Sequence, residues 1–314
     1  MTPLAPLFLA GPTAVGKSTV ALHLAELLGG EIISVDSMQV YRGLDLGTAK
    51  PSAAERARAP HHLIDVAEIT ESFDAAQFLR LAQVAVKAIQ ARGSVPIFCG
   101  GTGLYFKAFL EGLGEAPPAD AAVRGELEKL PLRTLLDELE NSDPVTFARI
   151  DRNNPRRVIR ALEVIRLTGK PFSAQRAHWT SKPASTPAVD AGPFFVLTRS
   201  TEDLRRCIDA RVEEMFRRGL VAETRNLLAR GLEQNRTAMQ AIGYRQVVEH
   251  LRGEHSSAAM MELVKVRTRQ FAKRQLTWFR RHANAVWIAL ESTATADEIA
   301  ANLAAHYRAS QPSV

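Results

Sequence analysis

Residues 11–18 read Gly-Pro-Thr-Ala-Val-Gly-Lys-Ser, which is a full match to the phosphate-binding loop pattern G-x-x-x-x-G-K-[ST]. The apolar run Leu7–Ala10 precedes this loop, and a helical pattern over Ser18–Leu28 follows it. The motif requires that strand–loop–helix context, because phosphate binds between the end of a strand and the start of a helix. The chain is therefore constrained to a fold that presents a phosphate site after its first strand.

The chemistry of the loop follows from its residue types. Gly11 and Gly16 allow the backbone to turn so that consecutive N–H groups point at one anion, and the following helix directs its positive end to the same place. Lys17 adds a full charge, and the Ser18 hydroxyl can hold Mg²⁺. We predict a di- or triphosphate site formed by Gly11, Pro12, Thr13, Ala14, Val15, Gly16, Lys17 and Ser18.

Apolar runs alternate with helical patterns over the first 110 residues. The runs cover Leu7–Ala10, Ile32–Val35, Leu63–Val66 and Val95–Cys99, and a long helical pattern covers Phe73–Arg92. Such alternation predicts an α/β fold, in which a parallel sheet has helices on both faces. In sheets of this kind ligands bind at the carboxyl ends of the strands.

Two segments rich in Pro, Gly, Ala and Ser, Gly112–Asp120 and Thr180–Pro193, interrupt this pattern. Residues 121–178 between them show helical patterns and no convincing strand. We therefore predict a small all-α insertion over residues 115–192. The P-loop core is predicted to take residues 1–114 and 193–314. The strands predicted in the second, largely helical part of the core are Phe194–Leu197 and Ala285–Ala289.

Composition excludes several classes of protein. No apolar run approaches the roughly 20 residues that cross a membrane as a helix, and no basic segment precedes the first apolar run as in a signal peptide. The two cysteines, Cys99 and Cys207, stand far apart without metal-ligand spacing, which is typical of a reducing compartment. We expect a cytoplasmic protein with no membrane partner, and a monomer by default.

One stretch of the chain carries charge of a single sign. The net charge is +6, and Leu263–Leu290 contains seven Lys or Arg and no Asp or Glu. Folded surfaces normally mix both signs, so this stretch favours an anionic partner such as nucleic acid. The alternative is a solvated basic face, and the charge pattern alone leaves both open. A second basic group in the predicted insertion consists of Arg156, Arg157 and Arg160.

Asp36 ends the second apolar run and begins the polar loop Asp36–Gln39. A carboxylate there can act as a metal ligand, as a general base or as the cap of the next turn, and its position leaves these alternatives open. The fourth apolar run leads into Gly100–Gly103, where an NTPase would commonly carry an acid. Thr102 in that segment offers a hydroxyl to a phosphate oxygen, unless the segment is only a tight turn.

Seven segments match one known family in order along the chain. They are 11–18, 36–51 (Asp-Ser-Met-Gln-Val-Tyr-Arg-Gly-Leu-Asp-Leu-Gly-Thr-Ala-Lys-Pro), 61–65, 100–105, 160–164, 243–246 and 272–279 (Ala-Lys-Arg-Gln-Leu-Thr-Trp-Phe). On these segments the chain resembles the bacterial tRNA dimethylallyltransferases, which are also called isopentenyl-tRNA transferases.

The resemblance implies dimethylallyl diphosphate as donor, the anticodon stem-loop of tRNA as acceptor and Mg²⁺ as cofactor. The dimethylallyl group would move to N6 of adenosine 37 in tRNAs that read U-initial codons. The loop would then hold a diphosphate leaving group, so no acid is needed after the fourth run. Asp36 would act as general base, Thr102 would contact the leaving oxygen, and Arg211 would lie near the diphosphate.

The resemblance also implies contacts to tRNA. They map onto Asp36, Ser37, Met38, Gln39, Arg124, Arg156, Arg157, Val158, Ile159, Arg160, Gln240, Ala241, Ile242, Gly243, Tyr244 and Arg245, with Lys273 and Arg274 against the phosphates. At position 156 the family usually has Gln, and we expect the Arg found here to contact phosphate instead of a base edge. From the residues alone, two other classes stay open: a small-molecule or nucleotide kinase, and a non-catalytic RNA-binding P-loop protein.

Overall fold

The computed structural model describes residues 3–114, 116–175, 192–281, 285–291 and 293–311. These residues divide into two units. The larger unit takes the described residues of Met1–Leu110 and Pro187–Val314, and the smaller unit takes those of Glu111–Thr186. The linker predicted over Thr180–Pro193 lies outside the described residues, apart from its last two positions.

Six parallel strands form one sheet in the described part of the larger unit. They are β1 (Leu7–Ala10), β2 (Gly30–Val35), β3 (His61–His62), β4 (Val95–Gly100), β5 (Phe194–Thr198) and β6 (Val286–Ala289). Their order is β3-β2-β4-β1-β5-β6, so the strand that leads into the phosphate loop is central. The prediction of an α/β fold with a parallel sheet is confirmed.

The described residues also form fourteen α-helices. They are α1 (Lys17–Leu28), α2 (Ala53–Arg58), α3 (Ala75–Ala91), α4 (Gly103–Glu111), α5 (Ala121–Leu127), α6 (Leu132–Ser142), α7 (Pro144–Arg149), α8 (Pro155–Thr168), α9 (Phe172–Gln175), α10 (Thr201–Arg217), α11 (Leu220–Ala229), α12 (Tyr244–Leu251), α13 (Ser257–Phe279) and α14 (Ala296–Ser310). None of these helices has the length and apolar character needed to cross a membrane.

The central strands are apolar throughout because helices cover both faces of the sheet. Side chains alternate between the faces along each strand. Phe8 therefore packs with Phe98 in one buried cluster, whereas Leu9 packs in the other with Leu24 of α1 and Leu303 of α14. The two clusters fix the strands that carry the site.

The third strand does not coincide with the apolar run Leu63–Val66. The strand is His61–His62, which pairs with β2. Leu63 and Asp65 have φ angles of 61° and 56°, in the left-handed region, so the backbone leaves the strand direction there. The apolar character of Leu63 reflects its buried side chain in a turn, where it is 5% exposed.

The smaller unit is helical over its described residues, with α5 to α9 around one apolar cluster. Leu127 of α5, Leu139 of α6 and Leu162 of α8 lie at the centre of this cluster and are 0% exposed. Helix α8 begins where the Asn154 side chain accepts a hydrogen bond from the first turn, and it ends at Gly169 with a φ of 67°. The local sequence therefore fixes both ends of the longest helix in this unit.

Candidate active site

Three loops start side by side at one edge of the sheet. Ala10, the last residue of β1, pairs in register with Gly100 of β4, and Gly100 pairs with Val35 of β2. Because the strands are parallel, the phosphate loop, Asp36 and the Gly100–Gly103 segment all follow from adjacent strand ends. This edge is the candidate active site.

The backbone of the phosphate loop has the conformation that its glycines predict. Gly11 has a φ of 150°, and a Cβ there would lie 2.6 Å from the carbonyl oxygen of Leu197 in β5. Gly16 has a φ of 103° and stands directly before α1. Ala14 has a φ of 63°, a conformation that residues other than glycine rarely adopt and that is held by the surrounding structure. Such a turn before a helix forms a cradle for an anion.

Lys17 is the cation of this loop. Its Nζ donates a hydrogen bond to the carbonyl oxygen of Pro12 at 2.6 Å. Burial lowers the pKa of the Lys17 ammonium to about 8; the Cys99 thiol and the Asp36 carboxylate oppose this shift, and Arg211 adds to it. Lys17, Asp36 and Arg211 are therefore close enough to affect one another electrostatically.

Asp36 is held by the turn that it begins. Its Oδ1 accepts hydrogen bonds from the backbone N–H groups of Met38 at 2.8 Å and Gln39 at 3.2 Å. This is the turn-capping arrangement typical of aspartate. Both bonds go to one oxygen, and Oδ2 accepts no hydrogen bond from the part of the chain that the structure describes. The carboxylate thus caps the turn and keeps one oxygen for a substrate.

Thr102 supports the Asp36 loop from the neighbouring strand end. Its Oγ1 accepts a hydrogen bond from the N–H of Ser37 at 3.1 Å, and its own N–H donates to the carbonyl of Val35 at 3.1 Å. Because this contact uses Oγ1 as acceptor, the hydroxyl hydrogen is still available for donation. Thr102 can therefore position Ser37 and donate to a phosphate oxygen at the same time.

Arg211 of α10 contacts the loop that follows β2. Its Nη2 donates to the carbonyl oxygen of Thr48 at 3.5 Å, and it forms no ion pair with a carboxylate among the described residues. Burial lowers the pKa of the Arg211 guanidinium, and the Asp36 carboxylate opposes that shift. Arginine nevertheless stays charged in proteins, so this side chain is a cation suited to bind an anion.

A polar network around the buried Tyr244 ring fixes the loop that carries Thr48, a role that the sequence did not indicate for this residue. The Tyr244 hydroxyl donates to Glu223 of α11 at 2.5 Å and accepts from the N–H of Gly47 at 3.0 Å. A Cβ at Gly47 would lie 2.4 Å from the Tyr244 ring, so the loop packs directly on that ring. This network sets the position of the Thr48 carbonyl and of the guanidinium that it contacts.

Gln39 lacks the free amide that a contact to a base edge requires. Its Oε1 accepts from the hydroxyl of Ser34 at 2.9 Å, and its Nε2 donates to the carbonyls of Thr48 at 3.1 Å and Ala49 at 3.3 Å. This side chain therefore has a structural role in the loop, and its contact with tRNA stays a prediction. The two residues before Gln39 are partly exposed.

Only part of the predicted tRNA segment Gln240–Arg245 is accessible. The side chains of Ala241 and Tyr244 are 4% and 0% exposed and lie in the core. Their contact with tRNA stays a prediction. The ends of the segment, Gln240 and Arg245, are exposed. A contiguous motif does not reveal which of its members the fold buries.

In the smaller unit one buried carboxylate holds two of the predicted tRNA-binding arginines. Glu163 is 0% exposed, and its Oε2 lies 2.7 Å from guanidinium nitrogens of both Arg124 and Arg160. Its Oε1 accepts from the N–H of Asp120 at 2.9 Å. Two cations share one carboxylate, so the cluster keeps a net positive charge in a fixed position.

Helix α8 divides the predicted contacts at 156–160 between surface and core. Arg156 and Arg157 are exposed in its first turn, where the helix dipole also favours an anion. Val158 and Ile159 are 0% and 8% exposed in the core of the smaller unit, and their contact with tRNA stays a prediction. Successive residues of a helix point about 100° apart, so neighbouring residues cannot all face one partner.

The basic stretch Leu263–Leu290 covers most of α13, and acidic side chains of another helix neutralise part of its charge. Lys265 and Arg269 form ion pairs with acidic side chains of α10. Lys273 and Arg274 are exposed, and the Arg274 guanidinium lies 5.8 Å from the centre of the Phe271 ring. The free basic surface is therefore narrower than the charge pattern predicts.

Two further residues bind the backbone of the phosphate loop, and sequence reasoning gave a role to neither. Gln275 of α13 accepts from the N–H of Thr13 at 2.8 Å, and Arg199, just after β5, donates to the carbonyl of Val15 at 3.2 Å. Gln275 lies within the matching segment 272–279, which is the one signal that could have found it. Arg199 carried no such signal.

The fold and this edge of the sheet define a P-loop α/β protein in which the loop lysine, Lys17, lies near the Asp36 carboxylate and the Arg211 guanidinium. Residues 39–282 match the model of the IPP transferase family. The chain belongs to this family of prenyltransferases, which confirms the resemblance found in the sequence.

Named relatives match over most of the chain. It is 46% identical to tRNA dimethylallyltransferase 1 of Trichlorobacter lovleyi over 300 residues, which are 94% of this chain and 97% of that protein. It is 47% identical to the tRNA dimethylallyltransferase of Halorhodospira halophila over 283 residues, which are 88% of this chain and 90% of that protein.

Two solved structures of transferases are similar to this chain over nearly its whole length. The full-length tRNA isopentenylpyrophosphate transferase of Bacillus halodurans matches with a TM-score of 0.69 and 38% identity, over 98% of this chain and 97% of that one. A eukaryotic dimethylallyltransferase acting on tRNA matches with a TM-score of 0.77 and 26% identity, over 96% of this chain and 77% of that one.

The buried carboxylate of the smaller unit gives a stability prediction. Replacing Glu163 with Ala leaves Arg124 and Arg160 without their shared partner, and we expect the free energy of unfolding to fall by about 3 kcal/mol in urea titrations. The control is Glu126→Ala, because Glu126 is 71% exposed and lies 3.9 Å from Arg166. That change should stay within about 0.5 kcal/mol, and equal losses in both variants would contradict the role given to Glu163.

Proposed function

We propose that the chain transfers the dimethylallyl group of dimethylallyl diphosphate to N6 of adenosine 37 in tRNAs that read U-initial codons, with release of diphosphate. The observation that carries this proposal is the juxtaposition of the phosphate loop with the free oxygen of Asp36 at adjacent strand ends. The names of the relatives support the choice of donor and acceptor.

Cations on two sides of the site suit a diphosphate. Lys17 and the loop N–H groups lie on one side, and Arg211 of α10 lies near enough to shift the pKa of Lys17. Negative charge develops on the diphosphate as its bond to carbon breaks, and donors held in place stabilise that charge without reorganisation. Thr102 would donate its hydroxyl hydrogen to the departing oxygen.

The residues of the loop fit Mg²⁺ as cofactor. The exposed Ser18 stands in the first turn of α1, and its hydroxyl is a hard oxygen donor of the kind that Mg²⁺ accepts together with substrate phosphates and water. The described residues include no group of three His, Cys, Asp or Glu that could hold a metal by themselves. When bound, Mg²⁺ would neutralise charge on the diphosphate.

Asp36 would act as the general base. The N6 lone pair forms a bond to the allylic C1 while the bond from C1 to the diphosphate oxygen breaks, and an N6 proton passes to Oδ2 of Asp36. The Oδ1 atom stays bound to Met38 and Gln39 and keeps the carboxylate in place. A base positioned in this way contributes typically 10²–10⁴ in rate.

The acceptor base has to leave the anticodon-loop stack to reach this edge of the sheet. Basic side chains of each unit would contact tRNA phosphates. Arg156, Arg157, Arg245, Lys273 and Arg274 are exposed. Arg124 and Arg160 are partly exposed beside Glu163. We assign to them the sequence-independent part of tRNA affinity.

The test is transfer of label from radiolabelled dimethylallyl diphosphate to unmodified tRNA with Mg²⁺ present. We expect label in the RNA, and none when adenosine 37 is replaced by guanosine. Absence of label from the natural tRNA, with consumption of ATP when a small acceptor is supplied, would instead identify a kinase.

Two substitutions at position 36 separate catalysis from turn capping. In Asp36→Asn the side-chain oxygen can still accept the two backbone hydrogen bonds, but the amide cannot take up a proton, so turnover should fall at least about a hundredfold. Filter-binding affinity for tRNA should stay within about twofold. Asp36→Ala removes both functions and should be no more active than Asp36→Asn. An Asp36→Asn enzyme with near wild-type turnover would exclude the base role.

The pKa of Lys17 predicts how donor affinity depends on pH. Burial lowers this pKa to about 8, so below pH 8 the free site is already charged and affinity should be constant. Above pH 8 binding requires proton uptake by Lys17, and the donor Kd, measured calorimetrically without tRNA, should rise about tenfold per pH unit. The side chain in Lys17→Arg stays charged, so the donor Kd of this variant should not rise above pH 8. If the donor Kd of Lys17→Arg still rises above pH 8, the titrating group is not Lys17.

Two arginines of α13 give a matched pair for RNA binding. Arg274 is exposed, whereas Arg269 pairs with Asp209 at 3.5 Å. We expect Arg274→Ala to weaken tRNA binding and to reduce the slope of log K against log salt by about one, and Arg269→Ala to leave the slope unchanged. Equal slopes in wild type and Arg274→Ala would show that this surface is a solvated basic face and does not contact tRNA phosphates.

A further inference from the structure

We infer that Gln275 is a positioning residue for the reaction, and that it sets the separation between the phosphate loop and the Gly100–Gly103 segment. The inference rests on the proposed function, because it assigns those two loops to the donor diphosphate and to the support of the base. Gln275 touches neither substrate in this account and acts through the backbone that it holds.

The carboxamide of Gln275 bridges the two loops with both of its ends. Its Oε1 accepts from the N–H of Thr13 at 2.8 Å, and its Nε2 donates to the carbonyl of Gly101 at 2.9 Å. The side chain is 7% exposed, so water cannot easily replace either bond. A neutral amide is the one side-chain group that offers an acceptor and a donor in this geometry at any pH.

Helix α13 packs so closely on the Gly100–Gly103 segment that side chains there are excluded. A Cβ at Gly101 would lie 2.1 Å from Nε2 of Gln275, and a Cβ at Gly103 would lie 2.2 Å from the Trp278 ring. Gln275 and Trp278 are three residues apart and so share one face of the helix. The glycines of the segment are thus matched to this face of α13, which makes the bridge rigid.

Both loops that Gln275 holds lead to reacting groups. Thr13 belongs to the phosphate loop, four residues before Lys17. Gly101 precedes Thr102, whose Oγ1 holds the N–H of Ser37 next to Asp36. Release of the bridge would change the distance between the donor and the base, and misplacement by about 1 Å can cost on the order of 10²-fold in rate.

The experiment compares Gln275→Leu with Gln90→Leu. Gln90 of α3 also donates a hydrogen bond to a backbone carbonyl, that of Leu4, but before β1, at the opposite edge of the sheet from the site. For Gln275→Leu we expect a kcat lower by about 30- to 100-fold and a raised donor KM, with tRNA affinity within about twofold of wild type. Gln90→Leu should leave all three quantities unchanged.

A second variant keeps the test decisive if Gln275→Leu does not fold. In Gln275→Glu the carboxylate can accept from Thr13 but can donate to Gly101 only when protonated, so its kcat relative to wild type should rise as pH falls from about 8 to 6. Two results would overturn the inference. One is a Gln275→Glu kcat that does not change with pH relative to wild type. The other is a Gln275→Leu kcat within about threefold of wild type. If wild type itself transfers no dimethylallyl group, the proposed function fails instead.

Discussion

The pairing of β1 with β4 and of β4 with β2 is the constraint on which the site depends. It brings Ala10, Gly100 and Val35 into register, so the three loops that follow begin next to one another at the same end of the sheet. Every proposed step needs that proximity, because the phosphate loop holds the leaving group and Asp36 accepts the proton. A shift by one residue in either pairing would separate these functions and would also exchange the side chains that a strand directs into the two buried clusters.

Much of this arrangement could be predicted from the sequence because its signals are local. The phosphate loop has its own motif, and apolar runs with helical patterns between them indicate a parallel sheet. Asp36 at a strand end was identified with three possible roles, and the structure bears out the turn cap while it leaves one oxygen free. The contacts that stabilise the site were not predictable in this way. Gln275 meets Thr13 across 262 positions, and Tyr244 meets Gly47 across 197.

Several residues of the predicted tRNA-binding segments are buried, and their burial has a physical cause. Val158, Ile159, Ala241 and Tyr244 lie in predicted binding segments, but the helix or turn that carries each segment directs some of its side chains into a core. The charge pattern had the same weakness, since acids of α10 neutralise part of α13 although they are 52 and 60 positions away in the chain. Sequence shows which residues are neighbours in the chain, whereas burial and charge pairing depend on neighbours in space.

The interruption of the larger unit by the smaller one has a consequence for how the chain folds. Strand β1 pairs with β5, and Phe8 lies opposite Phe194, so the central sheet cannot close until residue 194 has been made. At common rates of synthesis this takes roughly ten to forty seconds. The helices of the smaller unit contact one another over much shorter separations and can form within that interval. During biosynthesis the nascent chain therefore exposes an unpaired edge of β1, which is the period in which it most needs protection from aggregation.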